Sequence, residues 1–442
     1  MPALLLDLYQ LTMGESYLAE GIAERPATFQ LFCRRLPDGW GYLVAAGVED
    51  ALDYLEGLRF DGDDLAFLES TGLFGSGLLE RLGRLRFSGE VRAMREGTLF
   101  FPSEPVLEVT APLIEAQLAE TLIVNYVHFQ SLIAAKAARC VDAAEGRRLV
   151  EFGLRRTHGG EAGLKAARAS YLAGFDATSN VLAGQRFGIP LAGTMAHSYV
   201  ECFEHETAAF EAYTRSYPDG ATLLIDTYDT IEGARRAARV GLDLAARGGR
   251  LGGVRLDSGD LLGLSFRVRD TLDEAGLTEV TIFASSNLDE HRIDRLLDAS
   301  APIDGFGVGT RLVVSADAPY IDLVYKLVAF DGRPVMKLSS EKATLPGPKQ
   351  VWRRTERGRF AGDLVALLDE PGPEAGVPLL EPMVKNGARI HTDSLEQART
   401  HAAAQRASLP SGLRRLNAGV YPVEISTGLQ ALRQAIAAAS AG

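Results

Sequence analysis

From residue 147 to about residue 310 the chain alternates short apolar runs with amphipathic stretches of helix length, and no other feature limits the fold as much. The strand-length runs cover residues 149–152, 189–192, 222–225, 251–256, 281–284 and 305–308. Good helix formers lie between most of them, as over 231–246, 261–275 and 288–299. Repeated βα units bury a parallel sheet beneath helices, and this many in succession predict an irregular, TIM-like α/β barrel. No sequence repeat accompanies the structural one.

The flanks read differently. Residues 7–20 are expected to be helical, with Leu8, Leu11, Tyr17 and Leu18 roughly on one face. Residues 28–34 alternate as a strand, with Phe29, Leu31 and Cys33 opposite Thr28, Gln30 and Arg34. A further helix is expected over 45–58. Strand-like runs at 89–94 and 98–109 are punctuated by Gly97, Pro102 and Pro105. Pro112 stands where it can open a long helix over 113–139. Glu115, Glu120, His128 and Lys136 interrupt that apolar stretch, which makes it a core helix and not a membrane span. Beyond residue 320, Asp331-Gly332 between apolar runs at 323–330 and 334–338 is a strong hairpin signal. The expected organisation is a mixed α/β domain over 1–111, a barrel domain over 112–338, and a C-terminal region over 339–442. The C-terminal region is expected to pack on the N-terminal domain, so that the flanks build one smaller α+β domain.

Composition excludes some partners. Lys and Arg number 46 against 58 Asp and Glu, a formal charge of 46 − 58 = −12 over 442 residues. Nucleic acid and anionic membrane both reward a basic surface, so neither is expected as a partner. An anionic small molecule feels only the local field of its site. Three cysteines, Cys33, Cys140 and Cys202, are too few and too scattered for a disulfide framework or a zinc cluster. The opening MPALLLDLYQLTM has no basic flank, and Asp7 interrupts its apolar run. It is therefore not read as a signal peptide, and a cytoplasmic protein is expected.

The candidate chemistry lies just after the strands. The successive runs lead into Gly153-Leu154-Arg155-Arg156, Gly193-Thr194-Met195-Ala196-His197-Ser198, Asp226-Thr227-Tyr228-Asp229, Asp257-Ser258-Gly259-Asp260, Ser285-Ser286-Asn287 and Gly309-Thr310-Arg311. In a parallel barrel these ends converge on one face, where such enzymes place their active sites. Each cluster taken alone could be a helix cap. The guanidiniums of Arg155 and Arg156 suit a carboxylate or phosphate, against the alternative of a surface pair. Asp257 and Asp260 can hold Mg²⁺, partly through water, or bond sugar hydroxyls. A cap plus a first-turn acid explains Asp260 well and Asp257 poorly. In Gly307-Val308-Gly309-Thr310 the glycines let backbone amides approach a phosphate. His197 can act as general base, phosphate binder or nucleophile, and the sequence leaves all three open.

At these residues the chain resembles nicotinate phosphoribosyltransferases. The resemblance rests on an ordered set: Asp7-Leu-Tyr-Gln-Leu-Thr-Met13, Gly41 to Gly47, Gly97 to Val106, Glu151-Phe-Gly-Leu-Arg-Arg156, Gly174-Phe-Asp-Ala-Thr-Ser-Asn180, Gly193-Thr-Met-Ala-His-Ser198, Arg255-Leu-Asp-Ser-Gly-Asp260, Gly307-Val-Gly-Thr310, Val324 to Val328 and Thr344-Leu-Pro-Gly347. It implies a type II phosphoribosyltransferase fold and transfer of phosphoribosyl from phosphoribosyl pyrophosphate to nicotinate, coupled to ATP hydrolysis, in NAD salvage. It also implies phosphorylation of His197 by ATP. The chemistry of pyrophosphate departure agrees with Asp257 and Asp260 as catalytic acids, with Mg²⁺ on the pyrophosphate held through Asp257 or Asp260. The substrate-binding set that follows is Tyr9, Leu154, Arg155, Arg156, Gly193, Thr194, Ser198, Ser258, Asn287 and Thr344. Gly307, Val308, Gly309 and Thr310 form the phosphate turn. Tyr9 resembles a tyrosine that reaches a neighbouring subunit's site, which implies a homodimer with shared sites. One departure stands out: Asn287 occupies a position where the family commonly has Asp.

Two alternatives keep the chemistry close. Quinolinate, with a second carboxylate, would need a denser basic pocket than Arg155 and Arg156 provide, and nicotinamide would leave that fork poorly used. A different barrel enzyme acting on sugar phosphates would need a lysine or glutamate at a strand end, and none of the six clusters supplies a lysine. A non-catalytic pyridine-binding regulator would keep the ligand without turnover.

Overall fold

The computed structural model describes residues 3–338 and 344–440. The chain divides into two compact units, Lys136–Pro319 on the one hand and Met1–Ala135 with Tyr320–Gly442 on the other.

Lys136–Pro319 holds the parallel sheet. Its strands are β1 (Arg148–Glu151), β2 (Ala177–Thr178), β3 (Asp219–Leu224), β4 (Arg250–Leu256), β5 (Thr281–Ala284) and β6 (Gly305–Val308). The hydrogen-bonded order is β2-β1-β6-β5-β4-β3, and every pairing is parallel. The first strand pairs with the last, so chain order runs cyclically, as in a ring opened between β2 and β3. The sheet is a curled half-barrel. Residues 189–192, expected as a strand, contribute only one bridge, Thr178 to Leu191. Among the described residues no pairing joins Leu191 to β3, so the hydrogen-bonded ring does not close. Strand β2 replaces the missing one; at two residues it is too short for a periodic signal.

Helices cover this sheet because their small and apolar faces match it. Helix Thr230–Ala246 buries Ile231, Ala234, Ala237, Ala238, Val240, Gly241 and Leu244, the spacing of a single helical face. A Cβ on Gly233 would lie 2.0 Å from the Ile225 carbonyl oxygen, so glycine alone permits this helix to approach the end of β3. The side chain of Asp229 opens the same helix by accepting from the amides of Ile231 and Glu232 at 3.0 and 2.8 Å. β6 is buried along its whole length, as expected for a parallel strand covered on both faces.

The other unit carries a seven-stranded sheet. Its order is Arg333–Pro334, Leu323–Phe330, Pro26–Cys33, Pro105–Pro112, Glu90–Ala93, Glu381–Lys385, Ala388–Arg389, all antiparallel. The central strand Pro26–Cys33 departs from a one-faced alternation. Thr28 and Gln30 are buried along with Phe29 and Leu31, because both faces are covered. Gln30 is satisfied there by Glu108 and by Lys349 Nζ, the latter at 2.7 Å. The run at 98–109 breaks at Pro102–Glu104 into Leu99–Phe100 and Pro105–Pro112. The stretch after Pro112 forms two helices, Leu113–Leu118 and Glu120–Ala143. The Asp331-Gly332 turn has φ of 50° and 75°, the left-handed pair of a tight hairpin, but its second strand is only Arg333–Pro334. A second sheet, of order Val377–Pro378, Lys349–Glu356, Arg359–Leu367, Val423–Ile425, completes the unit's β structure with the short pair Leu43–Val44 and Leu99–Phe100. Among the described residues no helix is long and apolar enough to cross a membrane.

Candidate active site

The segments that follow the parallel strands line a cavity of about 610 Å³. After β1, Gly153 precedes a single 3₁₀ turn, Leu154–Arg156, which holds Arg155 and Arg156 at the rim. A Cβ on Gly153 would lie 2.2 Å from Val313 Cγ1, so the turn needs glycine to pass that side chain. Its amide donates to the buried Glu151 carboxylate, which also accepts from Thr178 Oγ1 at 2.6 Å. Burial raises the pKa of Glu151, and these two hydrogen bonds oppose the rise. Glu151 thereby fixes the start of the arginine turn from below.

His197 begins the short helix His197–Glu201 and faces two neighbouring strand ends. Its Nδ1 lies 3.1 Å from Thr227 Oγ1, after β3, and its Nε2 lies 3.5 Å from Asp257 Oδ2, after β4. The other oxygen of Asp257 accepts from the Ser285 hydroxyl, after β5. Asp226 holds the same loop from beneath: its Oδ2 accepts from the Asp257 amide at 2.8 Å and from Ser258 Oγ at 2.6 Å. Three strand ends therefore converge on one imidazole–carboxylate pair. Asp226 Oδ1 is buried with no hydrogen-bond partner among the described residues.

Arg255, near the end of β4, supplies a third guanidinium. It donates to the Met195 carbonyl at 2.7 Å, while its buried Nε has no partner among the described residues. Burial lowers its pKa, and the carboxylates of Asp257 and Asp226 oppose that shift. An unsatisfied buried guanidinium nitrogen on a cavity wall is a place for an anion.

Of the residues singled out from sequence, Leu154, Arg155, Arg156, Gly193, Thr194, His197, Asp257, Asn287, Gly307, Gly309 and Thr310 line this cavity. Ser198, Ser258 and Val308 neighbour it in sequence but do not line it. Asp260 is exposed, stands at the N-terminus of helix Leu261–Glu274 without a side-chain cap bond, and lines a separate groove with Leu261 and Leu262. Tyr9 and Thr344 belong to the other unit. Tyr9 is 44% exposed; burial of its hydroxyl region, then Glu120, raise its pKa. Thr344 is buried, and its Oγ1 accepts from the Lys337 amide at 3.1 Å.

Sequence reasoning assigned no role to Arg255, Thr227, Ser285 or Asp226. For Arg255 a signal existed: a charged residue inside the apolar run Val254–Leu256 marks a strand position with a polar partner. Two acids after strand ends turn out to be caps: Asp229 as above, and Asp289, which accepts from the Arg292 amide at 2.8 Å.

Ser286 and Asn287 have φ of 97° and 48°. A φ of 97° is strained for serine and open to glycine. Ser286→Gly should stabilise the chain by about 1 kcal/mol, read from the urea midpoint; a destabilised variant would show that the loop is not strained there.

One further acid group, Glu290, His291 and Asp317, has the spacing of a cation site. Its carboxylates already face Lys136 and Arg139, so cations of the chain itself fill that role.

Comparison with known proteins follows the same lines. The model of the nicotinate phosphoribosyltransferase N-terminal domain matches residues 4–128, and that of the nicotinate phosphoribosyltransferase family matches residues 147–353. The Mycobacterium tuberculosis nicotinate phosphoribosyltransferase pncB2 is 50% identical over 431 residues, covering 96% of this chain and 91% of the relative. The human nicotinate phosphoribosyltransferase is 35% identical over 519 residues, covering 98% and 96%. The crystal structure of human nicotinic acid phosphoribosyltransferase superposes with a TM-score of 0.88 at 33% identity, over 98% of this chain and all of that one. A nicotinate-nucleotide pyrophosphorylase from Pyrococcus furiosus gives 0.75 at 26% identity, over 92% and 95%.

Proposed function

The chain belongs to the nicotinate phosphoribosyltransferase family, and from that premise we propose how its cavity carries out the family's reaction. The protein is an enzyme that joins nicotinate to the phosphoribosyl group of phosphoribosyl pyrophosphate, giving nicotinate mononucleotide and pyrophosphate in NAD salvage. The observation that carries the site assignment is charge. Arg155, Arg156 and Arg255 line the same cavity as the His197–Asp257 pair, three guanidiniums against one carboxylate.

The roles follow from the chemistry. Loss of pyrophosphate from the sugar develops positive charge at the reacting carbon and negative charge on the departing group. Asp257 sits where a carboxylate can oppose the first, and the arginines sit where they can oppose the second. One guanidinium fork fixes the nicotinate carboxylate. The Gly307–Thr310 turn offers amides to the sugar phosphate, and Leu154, Gly193 and Thr194 shape the pyridine end. His197, held between Thr227 and Asp257, is the residue that accepts phosphate from ATP, and the added charge of about −2 changes the affinity of the cavity for its anionic ligands. An oxygen donor set suits Mg²⁺, and the partly exposed Asp257 carboxylate on the cavity wall fits that preference. Asp257 would hold the ion, which would neutralise pyrophosphate charge when bound, whereas Asp260 lines the separate groove and has no part in it.

Ser198 and Ser258 support the loops of His197 and Asp257, and Asn287 contacts the ribose side. The same reading closes the half-barrel into an irregular α/β barrel, with a second, smaller α+β domain, and makes the protein a cytoplasmic homodimer in which Tyr9 and Thr344 complete shared sites.

The test is one assay. Nicotinate, nicotinamide and quinolinate compete for phosphoribosyl pyrophosphate with and without ATP, and label from γ-³²P-ATP is followed. Nicotinate should win, ATP should accelerate turnover, and label should sit on His197. Preference for another pyridine would overturn the substrate assignment. Full ATP-dependent activity in His197→Ala would sink the phosphohistidine.

A further inference from the structure

A second cavity, of about 390 Å³, lies beside the first and is lined by Asn287, Asp289, Arg292, Arg295 and Arg311. Every lining side chain is polar. Arg311 pairs with Asp289 Oδ2 at 2.8 Å, which neutralises one of three guanidiniums. Arg292 donates to the Ser286 carbonyl at 2.9 Å and keeps its full charge. Arg295 is exposed and makes no hydrogen bond among the described residues. Neither Arg292 nor Arg295 forms an ion pair with a carboxylate among the described residues.

We propose that this pocket is a second, non-reacting binding site for a phosphoanion, either free phosphate or pyrophosphate or the polyphosphate tail of a nucleotide. Guanidinium forks match phosphate oxygens in number and geometry, and two guanidiniums without a paired carboxylate favour a multiply charged anion over a carboxylate. No apolar or aromatic wall is present for a pyridine or a base to rest on, so the ligand's contact is with phosphate oxygens alone. The adjoining groove of about 630 Å³ shares Arg292 and Arg295 and adds Asp260 and Asp298, but neither arginine forms an ion pair with these acids among the described residues. Asn287 sharpens the case: a carboxylate there would set two acids against three arginines, whereas the amide keeps the surplus. Because Asn287 lines both cavities, an anion held here neighbours the reacting site without entering it.

Binding, not turnover, decides this. Pyrophosphate is titrated into the full chain at fixed ionic strength, followed by calorimetry and ³¹P NMR. Two sites per chain are expected. Arg295→Gln should weaken one of them about tenfold and leave the other unchanged, while Arg295→Lys retains most of the affinity. Displacement of the Arg295-dependent pyrophosphate by ATP would identify the nucleotide tail as the source, and its persistence under saturating ATP the free anion. A single pyrophosphate site, or two sites indifferent to Arg295→Gln, would overturn the proposal. Two intact sites in a chain that makes no nucleotide would sink the reaction and keep this pocket, so the two failures are distinguishable.

Discussion

Asp257→Asn should lower kcat/KM by about 10²- to 10³-fold while leaving the unfolding midpoint within a fraction of a degree of the parent. The size follows from removing one fixed charge aimed at a developing opposite charge, an effect of that order in a water-poor site. The fold should not notice. Asp257 is a third exposed, its backbone amide is held by Asp226, and asparagine can still accept from Ser285. What changes is the partner of His197 Nε2, now an amide with no charge to stabilise an imidazolium or to oppose a cationic sugar. Steady-state kinetics with nicotinate varied, in parallel with label transfer to His197, separates the two roles. Loss of turnover with normal labelling assigns Asp257 to the sugar, and loss of both assigns it to the histidine. A drop of less than tenfold would remove Asp257 from the reaction.

Glu290→Gln should destabilise the unit Lys136–Pro319 by about 3–5 kcal/mol. Glu290 is fully buried, at the first position of helix Glu290–Asp298, and it faces two buried cations. Lys136 Nζ is 2.7 Å from its Oε2, and Arg139 Nε is 2.9 Å from its Oε1. Lys136 is 1% exposed, and its other carboxylate partner, Asp317, is 35% exposed and so partly screened by solvent. Glutamine keeps the volume and removes the charge, leaving two desolvated cations where Glu290 had balanced them. Urea unfolding followed by circular dichroism reads the loss directly. A change below about 1 kcal/mol would show that the cations re-pair or take up water. Since Glu290 begins the helix that follows Ser285–Asp289, a loosened variant should also bind substrate more weakly than its residual fold would suggest.

Much of the site was legible because strand ends announce themselves. Polar residues directly after an apolar run are conspicuous, and eleven of the positions singled out, from Leu154 to Thr310, line one cavity. What stayed hidden has two physical causes. A carboxylate at a strand end does the same local job whether it caps the next helix or faces a ligand. Asp229 and Asp289 are caps, while Asp257 is not, and only the direction of each side chain tells them apart. Positions inside strands were also missed. Arg255 looks like one interruption of an apolar run until the fold turns it toward the Met195 carbonyl and the cavity.

The sequence by itself determined the alternation of strand and helix, the glycines and acids that end the strands, and the ordered motifs of the family, because these are local or linear properties. Only the tertiary structure decided the cyclic strand order that joins β1 to β6, the burial of both faces of Pro26–Cys33 between partners some 80 and 300 positions away, and the convergence of three strand ends on His197. Pairings at such separations are fixed by how surfaces fit in space, and hydrophobic periodicity within a dozen residues carries no record of that fit.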